Sequence, residues 1–126
     1  MAAFKEDPKR VVVVDDSEDF RMIFRLLLAA DARLEMAGEA ADGGQAIDLC
    51  DEVQPDVVVL DLDMPEVDGP TALPTIRARC PEAEIYIYSA VADAYRTEEL
   101  LASGAAAIIN KGERFEHVFD VLAGTP

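Results

Sequence analysis

Uninterrupted runs of β-branched residues recur along the chain, separated by stretches in which apolar side chains return every three or four positions. Val11, Val12, Val13 and Val14 follow one another without a polar break, which suits a strand buried on both faces of a parallel sheet rather than one with a wet side. Residues 56–61 repeat that character in Val57, Val58, Val59 and Leu60. Shorter runs at 34–40, 84–88 and 106–110 bring the predicted strands to five. Between them the period lengthens. Phe20, Ile23, Phe24 and Leu27 form one apolar stripe behind Ser17, which is placed to cap a helix. Ala46, Ile47, Cys50 and Val53 line a second helix, and Phe115, Val118, Phe119 and Leu122 line the last. The third helix is less regular. Pro70 suits a helix start, but Pro74 removes a backbone donor further in, so a late start or a kink is expected there.

Strand and helix in strict alternation, joined by right-handed crossovers, predict an α/β fold with a parallel sheet covered on both faces. The expected architecture is flavodoxin-like, (βα)5, with strand order 2-1-3-4-5. Without an internal repeat or a Pro/Gly-rich linker, 126 residues read as one domain over 1–126 with its core at about 9–123.

Ligands of such sheets bind beyond the carboxyl ends of the strands, so the residues there carry the functional reading. Strand one runs into Asp15 and Asp16, strand three into Asp61 and then Asp63, strand four into Ser89, and strand five into Lys111. Two like charges 4 Å apart repel by about 4 kcal/mol at an effective dielectric near 20. Asp15, Asp16 and Asp61 therefore share one site only if a cation offsets them or if one is protonated with a raised pKa, and Lys111 alone is too little. One or two carboxylates, a carbonyl and waters are the donor set that Mg²⁺ prefers. Beside that metal and Lys111, the Asp61 carboxylate is placed to attack phosphorus and form an acyl phosphate, and the Ser89 hydroxyl to bond a phosphoryl oxygen afterwards. That is a switch.

Net charge enters next. With 26 acidic against 11 basic residues the chain carries −15, which repels a phosphate backbone and disfavours direct nucleic-acid binding. No apolar run approaches a membrane span, and residues 1–10 are charged where a signal peptide is apolar, so a cytoplasmic setting without a membrane partner is expected. Cys50 and Cys80 stand singly, without a Cys or His at ligand spacing, and read as reduced thiols. His117 lies beside the last apolar stripe and reads as a surface or half-buried residue; Tyr86 and Tyr88 read as strand residues, with a hydroxyl near the output face able to contact a partner.

The chain resembles the receiver domain of two-component response regulators, CheY-like, over nearly its whole length. The matching stretches are Val11 to Asp16, residues 55–65 around Asp61, Asp68-Gly69, Ser89-Ala90, and Gly104-Ala105 leading to Lys111. The resemblance implies that Asp61 is the phosphoacceptor, that Asp16 binds Mg²⁺ directly and Asp15 mostly through water, and that the Asp63 backbone carbonyl completes the protein ligands. Ser89 and Lys111 become the phosphate-sensing hydroxyl and the phosphate-pairing cation. The implied donor is a phosphohistidine on a sensor histidine kinase or phosphotransfer protein. The implied receiver of the signal is a downstream effector protein or output domain docking near the fourth helix and fifth strand; whether phosphorylation drives homodimerisation is left open. Such a domain catalyses only its own phosphorylation and dephosphorylation and is not otherwise an enzyme.

Gly38-Glu39-Ala40 and Asp42-Gly43 look like the branch whose members often carry a helix-turn-helix output domain. Two departures bear on the output. Ile108 stands where receivers usually carry a switching Tyr or Phe, and Gly112 follows Lys111 where proline is common; Asp63 and Val91 occupy positions that tune dephosphorylation. Two rivals compete. Asp61-Leu62-Asp63 also reads as the nucleophile motif of haloacid-dehalogenase-type phosphatases, but those place it on their first strand. A pseudo-receiver that signals without phosphate would be expected to lack Asp61 or Lys111, and both are present.

Overall fold

The computed structural model describes residues 7–62, 69–90 and 94–124. Among them, strands and helices alternate without exception: β1 (Lys9–Val14), α1 (Glu18–Leu28), β2 (Leu34–Ala40), α2 (Gly43–Val53), β3 (Val57–Asp61), α3 (Gly69–Arg79), β4 (Glu84–Ser89), α4 (Ala94–Ala102), β5 (Ala107–Asn110) and α5 (Phe115–Ala123). The strands form one parallel sheet in the order β2-β1-β3-β4-β5. Fold class and strand order are as expected from the sequence, with strand ends displaced by a residue at most.

Because side chains alternate across a strand, the sheet divides its apolar residues between two cores. Val12, Val14, Val58, Leu60, Ile85 and Ile87 pack with Ala46, Cys50, Leu73, Ile76 and Leu100 on the side of α2, α3 and α4. Val11, Val13, Val57, Val59, Tyr88 and Ile109 pack with Phe24, Leu28, Val118, Phe119 and Leu122 on the side of α1 and α5. The β1–β2 register jumps from Val11↔Met36 to Val12↔Gly38, leaving Ala37 as an extra residue. A Cβ at Gly38 would lie 2.9 Å from Leu49 Cδ2, so any side chain there would oblige Leu49 to shift.

Helix caps are local and legible. The Ser17 hydroxyl accepts from the Phe20 amide at 3.1 Å. Asp42 accepts from the Gln45 amide at 2.9 Å, and the Gln45 side chain accepts from the Ala41 amide at 2.9 Å. In α3 the expectation of a late start is corrected: the helix is under way at Gly69 and carries Pro74 inside it. Pro70 sits in the first turn, where its missing N–H has no helical partner in any case. Ala72, Leu73 and Ile76 are fully buried while Pro74 is exposed, so packing on the sheet outweighs the lost bond.

Candidate functional site

The carboxyl edge of the sheet gathers the acids that the sequence places at strand ends. Carboxylate oxygens of Asp15, Asp16 and Asp61 all lie within 4.8 Å of one another. Asp15 and Asp61 are buried, at 2% and 6% exposure, whereas Asp16 faces solvent. Asp15 is held from both sides. One oxygen accepts from the Ser17 amide at 2.8 Å and the other from Lys111 Nζ at 2.9 Å, so the residue that caps α1 and the cation after β5 converge on the same carboxylate. Arg21 donates to the Asp15 carbonyl. Lys111 Nζ also lies 3.2 Å from Asp61 Oδ1.

Strand alternation decides which side of the sheet each group serves. Asp15 continues the Val11–Val13 side, Asp61 the Val57–Val59 side, and Lys111 the Ile109 side, all toward α1 and α5. Ser89 continues the Ile85–Ile87 side, toward α2–α4, where Ile108 packs half-buried. Ser89 itself is buried, and its carbonyl accepts from the Lys111 amide at 2.7 Å; this bond fixes the β5 exit against the end of β4.

Lys111 is the electrostatic hinge of the cluster. Burial works to lower its pKa, but the hydrogen bond to Asp15, then the charges of Asp15 and Asp61, outweigh that and hold it above its ordinary value. Its ammonium also lies 5.0 Å from the centroid of Phe20 and 5.9 Å from that of Tyr88, within the range of cation–π attraction. Neither aromatic was singled out for this role in the sequence. Phe20 reads as one member of a helical stripe and Tyr88 as a strand residue; the signal available was an aromatic one turn into the helix after the paired acids. Both tyrosines are strand residues, as read from the sequence; Tyr88 is 1% exposed, and its hydroxyl has no hydrogen-bond partner among the described residues.

Other sequence readings fall into place around the site. His117 is exposed on α5. Cys50 and Cys80 are both buried between α2 and the end of α3, with the Cys80 thiol 3.2 Å from the Cys50 carbonyl oxygen; burial, reinforced by Cys80, pushes the Cys50 thiol up to about 12. Asp63 and its backbone carbonyl, Asp68 and Val91 lie outside the described residues. A groove of roughly 650 Å³ runs between α1 and α5, lined by Leu27, Ala30, Phe115 and Phe119 with Asp31 and Asp120. It lies apart from the carboxylates.

Known proteins share both the fold and the sequence. The family model for the response regulator receiver domain matches residues 11–123. The chemotaxis protein CheY of Thermotoga maritima is 34% identical over 114 residues, covering 90% of this chain and 94% of that protein. A protein-glutamate methylesterase/protein-glutamine glutaminase of Myxococcus xanthus is 37% identical over 107 residues, covering 82% of this chain but 30% of that protein. The chain thus spans about a third of the length of the methylesterase relatives it matches. Among solved structures, the receiver domain of the response regulator NarL from Mycobacterium tuberculosis superimposes with a TM-score of 0.84 at 29% identity, covering 94% of this chain and 99% of that one. A match to the receiver model over nearly all of the chain, together with this fold and this acidic edge, places the chain in the response regulator receiver domain family of two-component systems.

Proposed function

We propose that this chain takes a phosphoryl group onto Asp61 from the phosphohistidine of a sensor histidine kinase or phosphotransfer protein, and that Mg²⁺ held by Asp15, Asp16 and Asp61 assists. The observation that carries the reading is the joint approach of three carboxylates within 4.8 Å and a lysine ammonium within 3.2 Å of Asp61. The donor set fits the metal, because these are hard oxygen ligands and the exposed Asp16 leaves one side open to water. When bound, Mg²⁺ supplies charge neutralisation to the transferred oxygens. The chain's own residues do the rest. An Asp61 carboxylate oxygen attacks phosphorus, a P–O bond forms as the P–N bond breaks, and the imidazole leaves with the electron pair. Lys111 pairs with a phosphoryl oxygen, and Ser89 offers its hydroxyl from the opposite side of the sheet.

The Asp63 carbonyl is the remaining proposed protein ligand. Ser89 and Ile108, both toward the α4 side, form the proposed route to a downstream effector or output domain. We assign the receiver domain to residues 1–126 with its core at 9–123, acting in the cytoplasm as a signalling module. No helix among the described residues is long and apolar enough to cross a membrane.

The test is incubation with Mg²⁺ and acetyl phosphate, followed by intact-mass measurement. One added phosphoryl group is expected on the wild type and none on Asp61→Asn; undiminished labelling of that variant at another residue would overturn the assignment.

A further inference from the structure

Tyr88 is the register partner of Asp61 across the β3–β4 ladder, and both side chains point toward α1 and α5. The Tyr88 ring meets Phe20 edge-on with centroids 5.4 Å apart and Phe24 at 6.5 Å. Its hydroxyl is buried, and no described group bonds to it. Buried tyrosine hydroxyls normally find a partner, and among the described residues this one has none. Ile108, on the opposite side of the sheet, supplies no aromatic ring to the output.

We infer that Tyr88 is a positioning residue of the phosphoryl site: when Lys111 turns from Asp15 toward a phosphoryl group on Asp61, the Tyr88 hydroxyl gains a hydrogen bond in the rearranged cluster. The state of Asp61 is then read on the α1–α5 side of the sheet. This rests on the assignment of Asp61 as phosphoacceptor. A phosphoryl group brings about −1.5 to −2 charge and three acceptor oxygens, where the carboxylate offered a single charge. That draws the ammonium away from Asp15 Oδ2, now 2.9 Å distant, and shifts its place against the Phe20 and Tyr88 rings. With Mg²⁺ on the carboxylates, the Asp15 oxygen that Lys111 releases keeps a lone pair open to the Tyr88 hydroxyl. Burial keeps the Tyr88 phenol protonated; Lys111 opposes this, and Asp15 and Glu113 reinforce it, so the hydroxyl stays a donor.

The chain has three tyrosines and no tryptophan, so its near-ultraviolet absorbance reports tyrosine environments directly. Wild type, Tyr88→Phe and Tyr86→Phe would each be titrated with beryllofluoride in the presence of Mg²⁺, and their thermal midpoints measured with and without it. Wild type and Tyr86→Phe should give a saturable tyrosine difference signal. Tyr88→Phe should lose that signal and bind about tenfold more weakly, equivalent to about 1.4 kcal/mol, while its ligand-free midpoint does not fall. Wild-type affinity and signal in Tyr88→Phe would overturn the inference, as would equal loss of midpoint with and without beryllofluoride, which marks a packing role only. If folded wild type binds no beryllofluoride, the Asp61 assignment falls and this inference with it; if wild type binds and Tyr88→Phe is indistinguishable from it, the inference alone falls.

Discussion

Asp15 and Asp61 are buried beside each other and beside Asp16, with Lys111 as their shared cation. Among the described side chains one ammonium faces three carboxylates, and close like charges repel by about 4 kcal/mol at an effective dielectric near 20, which predicts a destabilising strain in the ligand-free site. We expect Asp61→Asn to raise the metal-free thermal midpoint by roughly 3–6 °C, the shift set by about 1 kcal/mol in a chain of this size. Millimolar Mg²⁺ should raise the wild-type midpoint more than that of the variant; a lower midpoint for Asp61→Asn without metal would refute the strain. Lys111 has its pKa raised in the folded chain. Its stabilisation is therefore fully present below the unfolded value of 10.5 and lost only as pH rises through the higher folded value. Urea midpoints of wild type and Lys111→Met should differ by a constant amount from pH 7 to about 9, converging only above about 10.5. The acids and the lysine were legible in the sequence because each interrupts or ends an apolar run where a parallel sheet binds its ligands. Phe20 and Tyr88 were not, because an aromatic in an apolar stripe announces burial, and its company at Lys111 depends on a chain crossing some ninety residues away in sequence, between Phe20 and Lys111.

Helices and strands were read with little loss where period and caps agreed, as in β2, whose predicted limits match Leu34–Ala40. The exceptions are α1, where Ile23 and Leu27 of the expected stripe are exposed while Phe24 and Leu28 are buried, and α3, where local propensity and tertiary packing disagree and packing prevails. Replacing the exposed Pro74 by Ala restores a donor to the Pro70 carbonyl, and should stabilise the chain by about 1–3 kcal/mol; an unchanged urea midpoint would show that the helix has already absorbed the loss. The turn between α4 and β5 is more exacting. Gly104 has φ of 115°, and a Cβ there would lie 2.7 Å from Arg77 Cδ. Arg77 in turn donates to the carbonyls of Cys80, Ala83 and Gly104, joining the end of α3 to the entry of β5. Gly104→Ala should therefore cost about 1–3 kcal/mol in backbone strain, read as a lower denaturation midpoint. Helix α1 leaves Met22, Ile23, Leu26 and Leu27 exposed, and of these Leu27 lines the groove between α1 and α5.

With a net charge of −15, the folded chain repels itself over distances longer than any single pair. Raising NaCl from about 10 to 200 mM shortens the Debye length from about 30 Å to below 10 Å, and should raise the thermal midpoint by a few degrees; a falling midpoint would mean that the ion pairs of Arg25, Arg33 and Lys111 matter more than the excess of acid. The sheet's two margins add a different consequence. β5 is four residues long, and β2 is bulged at Ala37 with Glu35 exposed. A foreign strand arriving at either side would find too short a ladder, or a twisted one bearing a carboxylate. Edge-to-edge stacking of folded copies of this chain is therefore disfavoured at both margins.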